Sequence, residues 1–149
     1  MPKKVWSTLR MLVDRKIVPE QKRLSLLLRR LSEARSLLDR LSEYQDQASI
    51  IFSQNLTNRP IFPGVATGAL NMFSKVDAAK KRQEQEILGL NALIEESKSN
   101  LVALMAEAKK YEKLIEIDLQ REAQIEIRRE LKRADEFVNS IMARKVLNK

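Results

Sequence analysis

Apolar side chains recur in steps of three and four along most of this chain, in two stretches parted by one cluster of helix breakers. The first stretch reads Leu24, Leu27, Leu31, Ala34, Leu38, Leu41, Gln45, Ala48 and Phe52, with Gln45 its one polar member. Carried backward, the same frame reaches Ile17, Val13 and Trp6, with Glu20 and Arg10 as misfits. The second stretch holds one frame through Phe73, Val76, Lys80, Gln83, Ile87, Leu90, Ile94, Ser97, Leu101, Leu104, Ala108, Tyr111 and Ile115. A seven-residue repeat kept up over three or more heptads specifies helices that bury a narrow seam against a partner helix.

Between the two seams lies TNRPIFPGVATG, Thr57 to Gly68. It holds Pro60, Pro63, Gly64 and Gly68, although the whole chain has only four prolines and three glycines. Proline lacks the amide hydrogen and clashes with the preceding turn, and glycine costs about 1 kcal/mol against alanine inside a helix. The expectation is one reversal: helix over about 3–57, loop over about 58–67, helix over about 68–146. The fold class is all-α, a long antiparallel two-helix coiled-coil hairpin forming one domain over 1–149. Pro19 interrupts the first seam and predicts a kink or a fresh helix start.

With the reversal near residue 62, Leu24 falls near residue 100 and Trp6 near residue 118. The second frame fails close to that point, because Asp118 and Glu122 occupy seam positions. A new frame follows at Ile127, Leu131, Ala134, Val138 and Ile141. Such a phase change alters the supercoil or marks a change of partner. The second helix should therefore overhang the first and carry a bare apolar stripe that needs a partner.

Charge separates along the chain in the same way. Residues 1–23 carry seven Lys/Arg and two Asp/Glu, residues 121–149 eight and five, and the middle thirteen of each, so the net charge of +8 belongs to the two ends. In a hairpin those ends lie together, and a basic tip is drawn to an acidic surface, most strongly at low salt. Nucleic acid is not the expected partner, since no recognition motif accompanies the charge and acids interleave the bases. Nor is a small molecule. Trp6 reads first as a large seam residue and second as a membrane-interface anchor. No run of about eighteen apolar residues is present to span a bilayer.

Catalytic chemistry is poorly supplied. The chain has no histidine and no cysteine, which removes the imidazole base, the thiolate nucleophile and the commonest zinc ligands. Its glycines, at 64, 68 and 89, build no phosphate cradle. Carboxylate neighbours such as Glu84/Glu86 and Glu95/Glu96 point to different helix faces. The expectation is no enzyme, no metal and no cofactor.

The segment RRELKRADEFVNSIMARK resembles the end of the FliJ family of bacterial flagellar export proteins. Its Lys-x-x-Asp-Glu core is Lys132, Asp135 and Glu136, preceded by Arg128 and Arg129. YQDQ, Tyr44 to Gln47, is similar to a Tyr-Gln segment that precedes the family's loop. Met72, Phe73, Val76, Ala79 and Gln83 look like its apolar stripe after the loop. Ala48 departs from the pattern, standing where relatives can carry a second aromatic, and the loop here is less polar than theirs.

The resemblance implies a non-catalytic central stalk of the flagellar type III export apparatus, cytoplasmic and peripheral to the inner membrane. It implies that the tip enters the export ATPase ring, with Arg128, Arg129, Lys132, Asp135 and Glu136 meeting charged groups. Ile127, Leu131, Val138 and Ile141 would supply apolar anchors there. It implies that Leu41, Tyr44, Phe73, Val76, Ala79 and Gln83 touch the cytoplasmic domain of the export gate, and that export chaperones are further candidate partners. Two alternatives stand beside it: the equivalent stalk of an injectisome, and a self-associating scaffold.

Overall fold

In a computed structural model the chain is two helices, α1 over Pro2–Asn58 and α2 over Pro63–Leu147. Residues 2–58 and 63–147 are described, with side chains from Val5 to Gln54 and from Gly64 to Leu147. The two helices pack against each other as an all-α hairpin. Residues 18–102 form one compact unit, and residues 1–17 with 103–149 form another.

The expected loop is shorter than the proline and glycine content suggests. α1 runs to Asn58, and α2 already starts at Pro63, so Gly64 lies inside α2 rather than in a loop ending near 67, with Gly68 about one turn further along the same helix. Proline is well placed at the first helical position, where its missing amide hydrogen would have no intrahelical acceptor and its fixed φ suits the helix. The two glycines take no positive φ and only weaken the helix through propensity. Pro60 lies outside the described residues. Pro19 does not start a fresh helix: α1 is continuous through it. One proline removes a single backbone hydrogen bond, and seam packing on both sides of it holds the remaining turns.

Within residues 18–102 the core follows the heptad seam. Leu27, Leu31, Ala34, Leu90 and Ile94 are buried together, with Leu24 and Ile87 packed against them. Leu101 is also buried, and residues between seam positions are mostly exposed. This is a one-layer core, a few residues wide. Helices so arranged owe their stability to the stripe they bury rather than to intrinsic propensity.

In the unit of residues 1–17 and 103–149, Val13 is buried, and Trp6 stacks on Tyr111 with ring centroids 6.1 Å apart and planes at 24°. Trp6 therefore faces about one heptad before residue 118, where a reversal near residue 62 would put it. α2 starts about five residues earlier than expected, which moves the midpoint of the reversal to lower numbers and the pairing with it. Arg10 reaches Glu112 at 3.6 Å and Asp14 at 3.9 Å, exposed ion pairs of small worth. Asp118 is the last half-buried residue of α2. Every described side chain from Leu119 onward is exposed.

Candidate docking surfaces

The C-terminal part of α2 is an amphipathic helix whose apolar side no other described residue covers. Ile127, Leu131, Val138 and Ile141 recur at heptad spacing, and all four are exposed. Phe137 and Met142 widen the stripe, with Phe137 at 66% exposure. At 100° per residue Phe137 and Met142 flank Ile141 and Val138, giving a mainly apolar arc of roughly 140°, interrupted by Glu130 and Lys145. Opposite it stand Arg129, Lys132, Arg133 and Glu136. Arg128 and Asp135 border the arc, and each of these charged groups is exposed. The charged residues named from the sequence and the apolar ones thus share one segment but present different sides of it. Phe137 was not among the expected anchors, because it lies off the strict heptad; the wider helical period places it at the stripe's edge. Arg144 and Lys145 complete the segment in the last turn, where positive charge complements the helix dipole.

Just before this segment the seam ends on polar groups. Asp118 has a buried carboxylate oxygen with no hydrogen-bond partner among the described residues. Tyr111 donates its hydroxyl proton to Glu107 at 3.2 Å. Its phenol is pushed above the ordinary tyrosine value, first by burial beside Trp6 and then by the Glu107 carboxylate.

A second surface lies in the unit of residues 18–102. Tyr44, Gln47, Ala48, Ile51 and Phe52 of α1 face Ala69, Met72 and Phe73 of α2 across an open groove of about 310 Å³. Phe52 and Phe73 meet edge to face with centroids 5.8 Å apart, and the Tyr44 hydroxyl lies 3.7 Å from the Met72 sulfur. The groove exists because the seam is thin here. Ala48 and Ala69 place methyl groups where a larger residue would fill the space.

Of the six residues expected to face the export gate, Tyr44 and Phe73 line this groove. Leu41, Val76 and Ala79 are half-buried seam residues. Gln83 is buried, and its side-chain amide donates to the Ala34 carbonyl at 3.1 Å, which leaves it little to offer a partner. Met72 and Ile51, both half-exposed in the groove, sit outside the expected gate set. Ala48 was the available signal, since a small residue inside an aromatic-rich seam marks a gap.

Polar groups punctuate the seam of the same unit. Lys80 donates to the side-chain amide oxygen of Gln45 at 2.9 Å across the helices. Glu20 receives Arg23 at 3.3 Å from its own helix and Asn100 at 3.5 Å from α2. The hydroxyl of fully buried Ser97 makes no complete hydrogen bond, yet it lies near enough to the Glu20 carboxylate to be the main influence holding that group below the ordinary value. Asn100 and Arg23 add to the effect, against the opposing cost of desolvation.

No group of side chains able to hold a metal ion occurs among the described residues. No described helix is long and apolar enough to cross a membrane. A family model described as flagellar FliJ protein matches residues 7–147. Comparison with curated proteins and with solved structures returns no match.

Proposed function

The chain belongs to the FliJ family of flagellar proteins and is an export-related component of the flagellum, and on that premise we propose that it serves as a non-catalytic stalk for the flagellar export ATPase. Its uncovered C-terminal helix docks in the ATPase ring, helps the ring assemble and couples it to the membrane export gate. The observation that carries this reading is the run of exposed side chains from Leu119 to Leu147, which pairs an apolar stripe with a basic, charge-rich side. An apolar stripe of this width needs a partner helix or groove, and the flanking charges would steer it toward an acidic one. In this reading Ile127, Leu131, Val138 and Ile141 are the buried anchors. Arg128, Arg129 and Lys132 pair with acidic groups of the ring, and Asp135 and Glu136 with basic ones.

The groove at Tyr44 and Phe73 is the candidate contact for the cytoplasmic domain of the export gate. Met72 and Ile51 join it, while Leu41, Val76, Ala79 and Gln83 continue along the same seam. Export chaperones are further candidate partners. The protein works in the cytoplasm at the inner face of the membrane.

Co-sedimentation with the export ATPase tests the main step. The full chain should pellet with assembled rings, while a chain ending at Gln120, which keeps both seams, should stay in the supernatant. Equal binding by the two chains would reject docking through the tip.

A further inference from the structure

The seam of residues 18–102 has an ambiguity built into it. A heptad repeat maps onto itself when one helix slides by seven residues, and in this seam most slid positions would again place apolar on apolar. Burial of leucine and isoleucine alone therefore distinguishes poorly between neighbouring registers. The polar contacts across the seam are different, because Gln83 with Ala34, Lys80 with Gln45 and Asn100 with Glu20 each pair in one register only.

Gln83 is the clearest case. It is buried, and its amide reaches the Ala34 carbonyl at 3.1 Å. That approach needs a residue as small as alanine in front of the backbone. One heptad away Gln83 would meet Leu27 or Leu41, whose side chains cover the carbonyl. Lys80 now faces Gln45 at 2.9 Å; after a slip it would face Leu38 or Phe52, which accept nothing. Asn100, which donates to the Glu20 carboxylate at 3.5 Å across the helices, would face Leu27 after a slip in one direction. A buried polar group that loses its partner is costly, so every slip meets this cost in several layers at once.

We infer that these polar layers, centred on Gln83 with Ala34, Lys80 with Gln45 and Asn100 with Glu20, are a register lock that selects one alignment of α1 and α2 from several of similar apolar burial. The lock also positions the groove. Tyr44 meets Met72, and Phe52 meets Phe73, in this register and not one heptad away. The polar residues are therefore positioning residues for that surface, whichever partner occupies it.

The test uses the full chain, whose lack of cysteine lets two be introduced cleanly. Nitroxide labels go on Ser25→Cys and Gln85→Cys, both exposed and offset along the seam by about ten residues. A slip of one heptad moves one label by about 10 Å along the axis relative to the other. Pulsed EPR should give one narrow distance in the otherwise unaltered chain. In a chain that also carries Gln45→Leu, Lys80→Leu and Gln83→Leu, the lock predicts retained helicity, an equal or higher melting temperature, and two or more distance populations separated by several ångströms. The exchanged pair Gln45→Lys with Lys80→Gln should restore a single distance when Gln83 is kept. A single unchanged distance in the triple-leucine chain overturns the lock, since apolar packing would then set the register unaided. Loss of helicity in that chain overturns it too, because the polar contacts would then hold the fold rather than choose among alignments.

Discussion

Replacing Ile94 by alanine should separate the covered part of α2 from the uncovered part. Ile94 is 4% exposed and packs in the cluster with Leu27, Leu31, Ala34 and Leu90. Truncating a buried isoleucine to alanine costs about 2–5 kcal/mol, depending on how far the surroundings collapse into the space. The seam is one layer thick with solvent on both sides, so water and neighbouring side chains can partly fill the gap. That places Ile94→Ala in the lower half, about 2–3 kcal/mol. Leu131→Ala is the control: Leu131 is 61% exposed with no covering helix, and alanine is the better helix former, so the change should stay within about 0.5 kcal/mol. Urea unfolding followed by helical circular dichroism reads both. With a slope of about 2 kcal/mol per molar, Ile94→Ala lowers the midpoint by roughly 1–1.5 M and Leu131→Ala leaves it within about 0.25 M. Equal shifts would refute the reasoning, because the C-terminal stripe would then be buried in the free chain.

Two further predictions concern the seam itself. The Glu20 carboxyl is held below its ordinary value in the folded chain, so its contribution is present above the unfolded value of about 4.3 and fades as pH falls through the folded value. The melting-temperature gap between the unaltered chain and Glu20→Gln should accordingly be widest near neutral pH and close below about pH 4; a gap that widens on acidification contradicts the assignment. Gly89 lies in mid-helix, and beyond its own stretch of helix backbone nothing comes within 4 Å of where a Cβ would sit, so Gly89→Ala should stabilise the hairpin by up to about 1 kcal/mol, read as a higher urea midpoint.

Much of the fold was legible because a coiled coil writes its contacts into a period. The residues placed on the first seam, from Leu24 through Phe52, are each buried or half-buried, and so are those from Phe73 to Ile115. The exposed stripe at Ile127 and Leu131 was legible for the same reason: a frame that continues after its partner has ended must be uncovered. The turn was less legible. Proline and glycine signal a break without saying on which side of it they fall, and Pro63 with Gly64 fell on the helical side. Register was the other weak point. The repeat fixes which residues lie on the seam, but which of them face each other depends on the exact turn and on the polar layers, so Trp6 met Tyr111 instead of a residue near 118. At the groove, the sequence identified Tyr44 and Phe73 but not the gap between them, which comes from the small side chains of Ala48 and Ala69.

Hydrogen exchange along α2, with and without the export ATPase, tests the proposed stalk most directly. In the free chain, amides up to about Asp118 should be protected by packing on α1, while those from Arg121 to Leu147 exchange fast, as expected of a helix with no covering face. Adding assembled ATPase rings should slow exchange across Ile127 to Ile141 and leave Leu90 to Leu101 unchanged. Fast exchange over Ile127 to Ile141 that persists in the presence of the rings would contradict the account.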